Sequence, residues 1–171
     1  MGASKIIAVG RDMENLKKLE ELNNKRVIPV VYSQSSTDFT VEKLKILMNG
    51  IGADLVIDFV GGTSAVEPLL TSIRALKYRG KVVLVGNIEA SIPLTYGEIM
   101  INEIEIRGCF MFPPVSLQQL IRMVQSGLLD LTKVGTRTYS LDEINRAVED
   151  AAKKTTSDHF IDWVIVQPTK L

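Results

Sequence analysis

Lys5-Ile6-Ile7-Ala8-Val9-Gly10-Arg11-Asp12 decides how the chain folds. The run Ile6–Val9 contains no polar residue to turn towards water, which is the pattern of a strand covered on both faces. Gly10-Arg11-Asp12 then makes a tight turn. Asp12 is placed to cap a helix over Met13–Asn23 that buries Leu16, Leu19 and Leu22.

Further short apolar runs follow at Val27–Tyr32, Leu55–Val60, Lys81–Val85, Glu103–Phe110 and Phe160–Val166. They are rich in Val and Ile and nearly continuous, so they too predict strands of a parallel sheet. Helix-period segments separate them. Thr40 precedes Val41, Leu44, Leu47 and Met48, with Gly50 as the stop. Ser64 with Glu67, and Ser140 with Glu143, have capping-box spacing ahead of apolar stripes. Ser116 precedes Leu117, Leu120, Ile121 and Val124, with Gly127 beyond. Strand and helix alternate throughout, so the expected class is α/β, a doubly wound, mostly parallel sheet.

At 171 residues the expectation is one domain over 1–171, with 136–171 as a terminal segment of different character. Lys+Arg and Asp+Glu balance at 20 each, which argues against a general nucleic-acid binder. The apolar runs fall well short of the roughly 20 residues of a membrane helix. A single cysteine, Cys109, excludes an internal disulfide and a cysteine-rich metal site, and suggests a reduced, cytoplasmic setting. His159 is the one histidine, and no H-E-x-x-H, G-x-S-x-G or Y-x-x-x-K arrangement is present.

Five segments resemble the medium-chain dehydrogenase/reductase family, in its zinc-type alcohol dehydrogenase branch. They are Ile6–Arg11, Gly52–Gly61, Arg79–Gly86, Glu103–Phe110 and Tyr139–Ala147, in the family's order. The resemblance covers the C-terminal, cofactor-binding half. It implies a truncated Rossmann-like domain, with 136–171 as the return segment towards a catalytic domain. Only Met1–Ser4 precede Lys5. The resemblance therefore implies that the GroES-like domain, the zinc ligands, and the first strand with its glycine-rich turn are absent, so no zinc is expected.

The same resemblance implies cofactor-binding positions. Gly10 stands where NAD-preferring relatives carry a carboxylate, and Arg11 follows it. A small residue with a guanidinium beside it suits a 2′-phosphate, which points to NADP over NAD; the plainer reading is a turn glycine and a solvated arginine. Phe59, Val60 and Gly61 end one strand, Val85 and Gly86 the next, and Gly108, Cys109 and Phe110 the last. Ligands of doubly wound sheets lie at such carboxyl ends. Gly61-Gly62-Thr63-Ser64 reads as a turn opening a helix, either compact packing or an anion site. Phe110-Met111-Phe112-Pro113-Pro114 is apolar for a loop and suits a pocket cover or an interface.

The chemistry implied is NADP-dependent alcohol or carbonyl oxidoreduction. The alternatives are a non-redox isomerase or cyclase that takes a small apolar or carbonyl ligand in the vacated cleft, and a non-catalytic partner subunit. Loss of a central strand implies re-pairing of its two neighbours or pairing with another chain. A homodimer through exposed strand edges is expected.

Overall fold

The computed structural model describes residues 2–22, 26–33, 39–132, 134–152 and 161–168, with backbone alone at 161 and 162. The chain forms two compact units, Met1–Phe112 and Pro113–Leu171.

The first unit runs β1 (Ile6–Gly10), α1 (Met13–Leu22), β2 (Val27–Val31), α2 (Val41–Leu47), β3 (Ala53–Asp58), β4 (Gly61–Thr63), α3 (Glu67–Arg74), β5 (Leu76–Leu84), β6 (Asn87–Ile88), α4 (Tyr96–Asn102) and β7 (Glu105–Gly108). The second runs α5 (Pro114–Gln125), β8 (Val134–Ser140), a 3-10 turn over Leu141–Glu143, α6 (Ile144–Ala152) and β9 (Ile161–Gln167). The architecture is α/β, and every strand pair is parallel: β1 with β2, β3 with β5, β5 with β7, β4 with β6, and β8 with β9. No helix among the described residues is long and apolar enough to cross a membrane.

The near-continuous Val and Ile runs become strands because helices cover their faces. Leu16 of α1 is buried, and Val30, Phe39, Leu44 and Ala75 form one core cluster with Ile7 packed against it. Leu69, Ile73, Leu76 and Val82 form a second, with Val56, Leu84 and Ile104 around it. Val82, at the centre of β5, is fully enclosed.

Several caps stand as expected. Asp12 Oδ1 accepts from the backbone N–H groups of Glu14 and Asn15, and Thr40 Oγ1 accepts from Lys43 N–H. Ser140 and Glu143 form the reciprocal capping box, although it opens the 3-10 turn before α6. Gly50 adopts φ 78° beyond α2.

Two expected helix starts are corrected, and proline is the reason for both. Ser64 does not cap α3; Val66 does, without a side-chain bond, and the helix begins at Glu67. A start at Ser64 would place Pro68 where the first helical N–H is required, whereas a start at Glu67 places it in the unbonded first turn. Gly61 therefore opens no helix: it pairs with Asn87 in the short ladder β4–β6. Likewise α5 begins at Pro114, the favoured first position, so Ser116 lies inside it. Helix α4 is an addition, capped by a box between Thr95 and Glu98.

Of the two alternatives expected for the strands at Lys5 and at Leu55–Val60, direct pairing with one another is corrected. Among the described residues β1 pairs only with β2, and β3 only with β5. His159 lies outside the described residues.

Candidate functional site

The three-stranded sheet β3-β5-β7 sets the geometry. Its register aligns Asp58 with Leu84, and Leu84 with Gly108, so three carboxyl ends stand in one row. Phe59, Val60 and Gly61 leave the first of them. Val85 and Gly86 leave the second, and Cys109 and Phe110 the third. Eight of the expected positions thus share one edge. Gly10 and Arg11 end β1, which belongs to the separate sheet β1-β2.

Asp58 organises this edge and was not singled out by sequence reasoning. Its carboxylate is buried. Oδ1 accepts from Val60 N–H at 3.1 Å, while its backbone carbonyl accepts from Val85 N–H at 3.0 Å and Gly86 N–H at 2.9 Å. One residue therefore fixes where both segments leave the sheet. The available signal is an acidic residue ending an apolar run directly before Phe59-Val60-Gly61-Gly62. A carboxylate there is most economical as an acceptor for its own turn.

The glycines do different work. A Cβ on Gly86 would stand 1.9 Å from the carbonyl oxygen of Val60, so the two strand exits touch backbone to backbone. At Gly10 a Cβ would come within 3.2 Å of Leu16, so its bareness serves the packing of α1. At Gly108 a Cβ would meet nothing within 4 Å, which leaves open space beside the last strand end.

The rim of this edge is apolar. Phe59 is 74% exposed and Phe110 95% exposed, and Met111 and Phe112 are exposed after it. Met111 adopts φ 54°, and the exposed Cys109 thiol lies 3.9 Å from the Met111 carbonyl oxygen. Arg11 is exposed and makes no ion pair among the described residues. No group of three or more His, Cys, Asp or Glu side chains among the described residues is placed to hold a metal ion.

Residues 1–126 match the family model described as zinc-binding dehydrogenase. An L-threonine 3-dehydrogenase from Anaeromyxobacter dehalogenans is 24% identical over 129 residues, which is 71% of this chain and 36% of that protein. An L-arabinitol 4-dehydrogenase from Penicillium rubens is 28% identical over 106 residues, 60% of this chain and 26% of that protein. Among solved structures, 2R,3R-butanediol dehydrogenase from Bacillus subtilis aligns with TM-score 0.77 at 22% identity, covering 98% of this chain and 45% of that one. The chain spans about a third or less of the length of these curated relatives. A family match over most of the chain, carried by this parallel α/β fold, places the protein in the zinc-binding dehydrogenase family, the zinc-type alcohol dehydrogenase branch of the medium-chain dehydrogenases.

Proposed function

We propose that the chain is a nicotinamide-nucleotide-binding unit serving NADP-dependent alcohol or carbonyl oxidoreduction in a reduced, cytoplasmic setting. One observation carries this reading: Asp58, Leu84 and Gly108 align, and deliver Phe59–Gly61, Val85–Gly86 and Cys109–Phe110 to a single carboxyl edge. That edge is where a parallel doubly wound sheet takes its ligands. The open space beside Gly108 admits a planar group, and the Phe59 and Phe110 rings supply apolar contact that excludes water. When bound, the nicotinamide would supply hydride exchange with a carbonyl or alcohol carbon.

Arg11 favours NADP over NAD in this reading. It stands exposed at the end of β1 with no ion pair among the described residues, and a guanidinium pairs well with a phosphate. Asp58 acts as a positioning residue for the two strand exits.

A thermal-shift titration with NADPH, NADH and buffer tests the proposal. NADPH should raise the melting temperature, and NADH should raise it less. No rise with either nucleotide overturns the cofactor reading. The exposed Phe59, Phe110 and Phe112 rings also suit a second reading, a cofactor-free isomerase or cyclase holding a small apolar or carbonyl compound at the same edge. Turnover without nicotinamide would mark it, whereas a tight protein complex without turnover would mark a non-catalytic subunit.

Self-association forms part of the proposal. The peptide groups of Ile106 and Gly108 face away from β5, and all four residues of β7 are exposed. We propose a two-fold homodimer through this edge.

A further inference from the structure

At the amino ends of β5 and β7 the first unit holds a cavity of about 140 Å³ between α2, α3 and α4. Part of its lining is apolar. Ile73, Leu76, Leu94 and Ile104 contribute to it, and all four belong to the core cluster around Val82. Leu76 opens β5 and Ile104 directly precedes β7. The two strands are parallel, so the cavity lies at the opposite end of the sheet from Phe59, Gly86 and Phe110.

The charged part of the lining does not balance. Arg74 Nε donates to Glu98 Oε1 at 2.8 Å, and Thr95 N–H donates to Glu98 Oε2 at 2.9 Å. These bonds hold the Glu98 carboxyl at about 2, so it is ionised at neutral pH and cancels Arg74. Lys45 also lines the cavity, is half-buried, and makes no ion pair among the described residues. One positive charge is left over. A lysine in the last turn of a helix ordinarily answers its orphan carbonyls. Here other donors already do so. In α2, Lys45 O accepts from the N–H groups of Met48 and Gly50, Ile46 O from Asn49 N–H, and Leu47 O from Lys5 Nζ. In α4, Glu98 O accepts from Asn102 Nδ2, Ile99 O from Ile104 N–H, and Met100 O from Glu103 N–H. The Lys45 ammonium is therefore not claimed by the ends of these helices.

We propose that this cavity binds a small monocarboxylate, its head paired with Lys45 and its apolar body of about four to six carbons against Ile73, Leu76, Leu94 and Ile104. Volume sets the size, since a cavity of about 150 Å³ holds a benzene ring. Charge sets the head. One uncompensated cation calls for one negative charge, whereas a dianion would be repelled by Glu98 and a cation by Lys45. Arg74 reaches Glu98 through Nε, which leaves its terminal amino groups as further donors in the same lining. A neutral alcohol would desolvate the Lys45 ammonium without pairing it, at a cost that a carboxylate avoids. The site uses none of the residues at the carboxyl edge, so it stands or falls independently of the cofactor proposal.

The probe is hexanoate on the full chain, beside hexanol, hexylamine and inorganic phosphate. Binding is read from backbone amide shifts in two-dimensional NMR. The expected result is saturable movement at Ile73, Leu76 and Ile104 with hexanoate, half-complete at about 1 mM or below. The amides of Gly61 and Gly86, at the other end of the sheet, should stay where they are. Hexanol, hexylamine and phosphate should each bind about tenfold more weakly or worse. Lys45→Met keeps the apolar stem and removes the charge. It should weaken hexanoate by about tenfold or more and leave hexanol unchanged. Leu94→Phe fills the cavity and should abolish hexanoate binding. Should that variant fail to fold, Lys45→Met, at a half-buried surface position, decides the matter alone. Equal binding of hexylamine or of phosphate overturns the proposal, as does unchanged hexanoate affinity in Lys45→Met. Movement at Gly61 and Gly86 also overturns it, because the carboxylate would then sit at the carboxyl edge. So does the absence of saturation up to about 10 mM.

Discussion

Gly86 abuts the backbone of Val60 so closely that a Cβ would lie 1.9 Å from the Val60 carbonyl oxygen, far inside contact distance. Gly86→Ala must therefore push the exits of β3 and β5 apart. We expect a loss of about 1–3 kcal/mol in urea unfolding, the usual range for overpacking a tight site. Gly108→Ala, whose added methyl meets nothing within 4 Å, should change stability by about 0.5 kcal/mol or less. Equal losses in the two variants would contradict this account.

Acid should loosen the junction of α3 and α4. Glu98 accepts from the backbone N–H of Thr95 and from the Arg74 guanidinium at 2.8 Å, and these hold its carboxyl at about 2 against an ordinary 4.5. A carboxylate held low in the folded state stabilises above its unfolded value, and that contribution disappears as pH falls through the folded one. The melting temperature should drop between pH 4.5 and 2. Glu98→Gln should show a shallower drop in a thermal scan across the same window.

Arg11→Ala tests nucleotide choice. If the guanidinium meets a 2′-phosphate, the variant loses about 1.5–3 kcal/mol of NADPH binding, the range for a hydrogen bond to a charged group. NADH binding should stay the same. Calorimetric titration with both nucleotides reads the difference, and a parallel loss for NADH would remove Arg11 from the phosphate role.

Self-association should depend on Ile106. Its N–H faces away from β5, so Ile106→Pro spares the existing ladder and removes a bond from any strand added outside. Light scattering is expected to give a dimer for the unaltered chain and a monomer for the variant. A monomer in both would reject the dimer.

Much of the fold was legible because period and capping speak directly. The run Ile6–Val9 and the cap at Asp12 sit within a residue of their expected places. What failed was local competition. Ser64 and Glu67 have capping-box spacing, yet Pro68 sets where the helix begins. Thr95 and Glu98 have the same spacing and do form the box, in a short helix that Gly97 makes hard to read from pattern alone. Asp58 escaped notice because burial and its bonds to Val60, Val85 and Gly86 exist only after β3 and β5 have paired. The candidate positions after β3, β5 and β7 were legible for a simpler reason. In a parallel sheet every carboxyl end points the same way, so order along the chain already gathers them.

Pro29 bears on behaviour at high concentration. Copies that meet through β7 about a two-fold axis form a closed pair, in which that edge is used up. Filaments need a second receptive edge of the opposite kind, so that one molecule can hand its sheet on to the next. On the β2 side the central residue that faces a newcomer is Pro29, which has no N–H to donate to it. Copies joined through β7 as proposed would meet a weakened ladder on the β2 side, which disfavours growth into fibres from there.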